Sequence, residues 1–200
     1  MANVAAPFGL RPVRYLDGTP YNGAAERCSF AGGGTTDAFI GTPVVMTATG
    51  DTYTGYGPNA DGSFAGVEVV AGGDNAIYGV IVGFEPQRSN LELIALDASA
   101  VTTDLQVMVA VANPNLVFEI ETSAAIGVAG IGAHYDHTDE SATFGTDIVS
   151  NCTLETGGAG QWRMIGYRND PANSVELDNA VALVVCIRSQ VGNEAVVAAV

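Results

Sequence analysis

Along the chain, a run with apolar residues at both odd and even positions lies at 75–86, Asn-Ala-Ile-Tyr-Gly-Val-Ile-Val-Gly-Phe-Glu-Pro. Ile77, Tyr78, Val80, Ile81, Val82 and Phe84 are β-branched, aliphatic or aromatic, Gly79 and Gly83 weaken a helix, and Pro86 stops one, so the pattern predicts a strand. A strand with no polar face is covered on both sides. This one is expected at the centre of a β-rich fold.

Shorter strand patterns surround it at 26–31, 42–48, 64–70, 91–96, 105–111, 116–121, 151–155, 161–167 and 180–189, separated by Gly, Pro, Asn and Asp turns. Gly72-Gly73-Asp74-Asn75 is expected to join 64–70 to 76–84 as a hairpin. In 116–121, Leu116, Phe118 and Ile120 alternate with Glu119 and Glu121, which reads as a half-exposed strand with an acidic outer rail. Ala124, Ala125, Val128 and Ile131 recur at helical spacing behind Ser123 and predict the one short helix. Residues 133–143 read as a solvated loop. With strands this short and almost no helix between them, the expected fold is all-β: an antiparallel β-barrel or a jelly-roll-like sandwich. It would carry an extended N-terminal arm and at most one short helix.

The arm is 1–24, and 25–200 forms a single β-rich domain. Pro7, Pro12 and Pro20 exclude a continuous helix near the start, yet Phe8, Leu10, Val13 and Tyr15 are too apolar for a free tail. Such a segment either folds back as an edge strand of its own domain or adds to a neighbouring chain. The candidate contact residues are Phe8, Leu10, Arg11, Val13, Arg14 and Tyr15; Arg11 and Arg14 suit an acidic neighbour.

Composition narrows the partners. The hydrophobic fraction is 48% and the charged fraction 14%, as in a globular domain. The formal charge is −15, with 22 acidic residues against seven arginines and no lysine. Such a field repels phosphate backbones and anionic lipids, so neither nucleic acid nor membrane is an expected partner. Cys28, Cys152 and Cys186 are odd in number and far apart, which fits reduced thiols better than a disulfide framework. Pro7, Pro12 and two arginines interrupt 1–14 where a signal peptide needs an apolar run, so synthesis in the cytoplasm is expected.

Catalytic patterns are sparse. The absence of lysine excludes Schiff-base chemistry and a Walker-type phosphate site, and there is no G-x-S-x-G elbow. His134-Tyr-Asp136-His137-Thr-Asp139-Glu140 is the one gathering of metal-ligand residue types, but it lacks H-E-x-x-H spacing, and on a strand the two histidines point to opposite faces. Asn59-Ala-Asp61-Gly62 is half of a calcium loop without the later glutamate. Glu119 and Glu121 share a face, as glycosidase carboxylates do, though a solvated rail explains them more simply. Trp162 fits core packing better than a sugar platform. No enzyme activity, metal or other cofactor is expected.

Several segments together resemble a known family: Ala-Pro-Phe-Gly-Leu-Arg-Pro-Val-Arg-Tyr-Leu-Asp-Gly-Thr-Pro-Tyr-Asn-Gly at 6–23, Ile-Gly-Thr-Pro-Val-Val at 40–45, and Tyr-Gly-Val-Ile-Val-Gly-Phe-Glu-Pro at 78–86. Asn-Pro-Asn-Leu-Val-Phe-Glu-Ile at 113–120, Trp-Arg-Met-Ile-Gly-Tyr from 162 and Asp-Pro-Ala-Asn ending at 173 complete the set. The chain resembles the capsid cement, or decoration, proteins of tailed bacteriophages. That resemblance implies a β-barrel or jelly-roll domain on the outside of an icosahedral head, made in the host cytoplasm and assembled as a symmetric homo-oligomer. Its partners would be the major capsid protein, gripped by extended ends, and other copies of itself. An alternative of another class is an extracellular glycan-binding or host-adhesion sandwich using Tyr53, Tyr56 and Trp162 as stacking groups. A metal-dependent enzyme would rest on His134 and His137 alone.

Overall fold

A computed structural model describes residues 3–30, 36–47, 51–52, 63–73, 76–85, 94–97, 105–156 and 160–191. Its strands in chain order begin with β1 (Arg11–Tyr15), β2 (Glu26–Phe30), β3 (Ala38–Phe39), β4 (Pro43–Met46) and β5 (Asp51–Thr52). Next come β6 (Ser63–Phe64), β7 (Gly66–Val69), β8 (Gly79–Phe84), β9 (Ala95–Leu96) and β10 (Leu105–Val111). After β11 (Leu116–Glu121) and a 3₁₀ turn at Val128–Gly130 follow β12 (His134–His137), β13 (Leu154–Glu155), β14 (Trp162–Tyr167) and β15 (Val181–Cys186).

Five strands close a barrel in the order β10-β2-β7-β4-β8, and six form an antiparallel sheet in the order β1-β11-β15-β14-β12-β13. The fold is therefore all-β. It is mixed rather than purely antiparallel, because β2 and β7 run parallel with Ser29 opposite Gly66 and Phe30 opposite Val67. The expected hairpin between 64–70 and 76–84 does not form; β4 lies between β7 and β8 and pairs with both.

Within that stretch, β8 has the two covered faces that the pattern requires. On β8, Ile81 packs inside the barrel with Val44, Val67, Val107 and Val109. Its neighbour Val80 points the other way, into the cluster that Phe118, Ile120 and Trp162 build on the sheet. The barrel wall and the sheet thus share a strand, and β10 does the same through Val109 and Ala110. Gly79 permits this closure: a Cβ there would lie 2.4 Å from Val109 Cγ1 and 2.5 Å from the Ala110 carbonyl oxygen.

Three other expectations are corrected. All of β11 is buried, including Glu119 at 7% exposure and Glu121 at 3%, so its acidic side is not a solvated rail. The expected helix over 122–132 is reduced to the single turn Val128–Gly130; Gly127 stands before it with φ 69° and ψ 175°, outside helical geometry, and there is no side-chain cap. The histidine stretch is strand β12 rather than a loop, with His134 exposed and His137 fully buried.

His137 is a structural core residue. Trp162 Nε1–H can only donate, so it fixes Nδ1 of His137 as acceptor at 3.3 Å, and Nε2–H then donates to the Val70 carbonyl, also at 3.3 Å. Burial lowers the imidazole pKa below its usual 6.5, against hydrogen bonds with Val70 and Gln161 and nearby Asp136 and Asp139 that act to raise it. Trp162 also meets Phe118 edge to face, with centroids 5.5 Å apart and an interplanar angle of 71°.

Candidate functional site

The N-terminal segment folds back on its own domain. β1 is an edge strand of the sheet, antiparallel to β11, with Arg11 opposite Glu119, Tyr15 opposite Leu116 and a bulge between Pro12 and Arg14. An edge position suits Pro12, which has no N–H to give a second neighbour. The far side of β1 is partly occupied as well: Tyr15 N–H donates to Thr19 O at 2.8 Å, and Tyr21 N–H donates to Val13 O at 3.0 Å. Of the two readings of the segment, this is the edge strand.

The six predicted contact residues separate accordingly. Leu10 is 1% exposed and belongs to the shared core, so it is not a surface contact. It is held there by its N–H, which donates to Gly41 O at 2.9 Å across a close backbone crossing. Gly9 and Gly41 have φ of 66° and 97°, and a Cβ on Gly41 would lie 2.5 Å from the Phe8 carbonyl oxygen. Phe8, Val13, Arg14 and Tyr15 are half-buried, and Arg11 is exposed. The Arg11 guanidinium lies 4.9 Å from the centroid of the Phe8 ring and forms a salt bridge with Glu119. Arg14 Nη1 donates to the Tyr15 carbonyl at 3.2 Å.

One strand position further, the chain before β1 covers Glu121. Ala6 N–H donates to Glu121 Oε2 at 3.1 Å. Residues 3–8 and the 168–181 stretch enclose a cavity of about 260 Å³, with Glu121, Arg168, Asn3, Asn173, Phe8 and Val181 among its walls. Burial raises the Glu121 pKa above its usual value, and the Ala6 hydrogen bond offsets this only in part. In the same lining, Arg168 Nη2 pairs with Asp170 Oδ2 at 3.0 Å, while its Nε is buried with no hydrogen-bond partner.

Alternation in 116–121 gave no sign of this arrangement, because it showed a polar face and could not show that residues 3–11 would lie on it. Glu121, Arg168 and Asn3 come together from positions more than a hundred residues apart at the extremes. No local motif carries them.

The other chemistry-bearing groups are tied into structure. His134 Nε2 accepts from Arg163 Nε at 3.2 Å on the surface, on the opposite face of β12 from His137. No group of three or more His, Cys, Asp or Glu among the described residues is placed to hold a metal ion. Glu140 is buried but satisfied, accepting from Thr42 Oγ1 at 2.6 Å and from the amides of Ala142 and Asn151. The three cysteines are free and buried; burial pushes the Cys28 thiol up to about 11 and Cys186 up to about 12, so neither is a ready nucleophile at neutral pH. Trp162 is fully buried and presents no stacking face, while Tyr53, Tyr56 and the 59–62 turn lie outside the described residues. No protein-family model, curated protein or solved structure matches the chain.

Proposed function

We propose that the chain is a virion structural protein, a capsid cement or decoration protein that binds the outside of an icosahedral phage head and bridges neighbouring major capsid proteins. The observation that carries this reading is the segment 6–23. It is one of the stretches that resemble the cement family, and it lies along the edge of the sheet with Phe8, Arg11, Val13, Arg14 and Tyr15 at or near the surface. The contact surface is then a fixed edge strand and its flanks rather than a free tail. The charge of −15 over the whole chain further favours a basic or neutral protein surface as partner.

The test is to purify tailed-phage particles from the source that encodes the chain and examine them by mass spectrometry and cryo-electron microscopy. The expected result is many copies in symmetric positions on the head exterior, touching more than one coat subunit. Particles without the chain, or with it only in the tail, would remove this reading.

A further inference from the structure

We infer that the cavity between Glu121 and Arg168 is a socket for one basic side chain of the partner protein, its ammonium or guanidinium group seated on the Glu121 carboxylate. The inference rests on the reading of the chain as a head-binding protein, and adds the residue class that the partner must supply.

The polar groups of the cavity wall are not all matched alike. Asn3 donates to the carbonyls of Ser174 and Asp178 and accepts from Ser174 N–H. Asn173 donates to the carbonyls of Arg168 and Val181 and accepts from Val181 N–H. These bonds fix the wall in place and use both N–H donors of each amide. Glu121 differs. It is 3% exposed, accepts one hydrogen bond, from Ala6 N–H to Oε2, and has no cationic partner among the described residues. A buried carboxylate in that condition lacks the ion partner that would offset its desolvation.

The rest of the lining fits the remainder of such a residue. The Arg168 charge is already matched by Asp170, so it does not bar a cation, and its buried Nε–H is a spare donor for a carbonyl of the incoming chain. Phe8, Ala6 and Val181 supply apolar surface for an aliphatic stem, and at about 260 Å³ the cavity lies just under the size of a drug-sized pocket, suited to one long side chain. Val4, 82% exposed, stands at the rim, so the cavity opens to solvent. If the socket takes lysine, the residue must come from another kind of chain, because this one has none.

The experiment has two arms and uses the full chain and Glu121→Gln, which keeps an oxygen acceptor for Ala6 N–H while removing the charge. In the first, amide NMR follows titration with N-acetyl-lysine methylamide, with N-acetyl-norleucine methylamide as the uncharged control. Saturable shifts at Ala6 and Glu121 with the lysine compound, at least tenfold weaker in Glu121→Gln and absent with the norleucine compound, support the socket. Equal response to both compounds, or no loss in the variant, overturns it.

In the second arm, both proteins are mixed with heads stripped of this chain. Binding by the wild type with at least tenfold loss in Glu121→Gln supports a partner's basic side chain in the socket. Equal binding by both overturns the inference and leaves the head-binding reading intact. Failure of the wild type to bind overturns the head-binding reading and the partner together, whatever the first arm shows of the cavity itself.

Discussion

Inside the barrel and on the sheet, burial is achieved with different chemistry. The barrel cluster is Cys28, Phe30, Ala38, Val44, Val67, Tyr78, Ile81, Leu96, Val107 and Val109, where the only titratable groups are a thiol and a phenol. Burial raises these to about 11 and about 12, so both stay neutral across the ordinary pH range. The sheet instead buries Glu119, Glu121, Asp136 and His137. Glu119 has the Arg11 guanidinium and His137 the Trp162 N–H, whereas Asp136 and Glu121 each accept from a backbone amide, of Gln161 and of Ala6. The barrel interior is therefore an apolar frame, with its ion pair, Arg27 with Glu85, outside that cluster, while the sheet buries carboxylates and an imidazole.

The sharpest way to break this comparison is to damage the frame and watch the sheet. Ile81→Ala removes a fully buried side chain from the barrel interior and should lower stability by about 2–5 kcal/mol. Because β8 and β10 belong to both clusters, the loss should be shared. In urea titrations, far-UV circular dichroism and the fluorescence of Trp162, the sole tryptophan and a sheet residue, should shift to the same lower midpoint. A fluorescence midpoint that stays in place would show two regions that unfold separately.

A second effect belongs to the sheet alone. His137 is held neutral with its pKa below the 6.5 it has when unfolded. As pH falls below about 6.5, the unfolded chain takes up a proton that the folded ring refuses, so stability drops by up to about 1.4 kcal/mol per pH unit until the folded pKa is reached. Urea unfolding between pH 7.5 and 5.5 should show this slope, and His137→Gln should remove it. An identical slope in the variant would assign the acid loss to other groups.

How much of this was legible in the chain follows the same division. The frame was largely readable, since a strand apolar on both faces has to lie between two packed layers, and β8 does; the spans 105–111 and 116–121 coincide with β10 and β11. Pairing was less readable. Nothing in the hydrophobic pattern distinguishes a hairpin between 64–70 and 76–84 from the observed insertion of β4 between them, or marks β2 and β7 as parallel. The polar burial was hidden for another reason. Strict alternation in 116–121 correctly placed the glutamates on one face, but whether that face meets water depends on residues 3–11, over a hundred positions away. His137 likewise read as part of a solvated loop, although Trp162 and Val70 close around it.

The smallest effect is the most specific to the candidate site. Burial raises the Glu121 pKa above its unfolded value of 4.5, which is the opposite case from His137. Above the raised pKa, the folded protein carries a poorly matched buried charge; as pH falls through that value, the folded state protonates before the unfolded one and gains stability until about pH 4.5. Glu121→Gln has no such charge. Its stability relative to wild type should therefore be highest near pH 7 and should decline toward pH 4.5, whatever constant difference the new amide introduces. Thermal melts of the two proteins side by side measure this, and a gap that is flat with pH would mean that the carboxylate is already matched without any ligand. With N-acetyl-lysine methylamide present, the neutral-pH gap should narrow, because a cation on Glu121 stabilises the charged folded form by mass action. The uncharged norleucine compound should leave it unchanged.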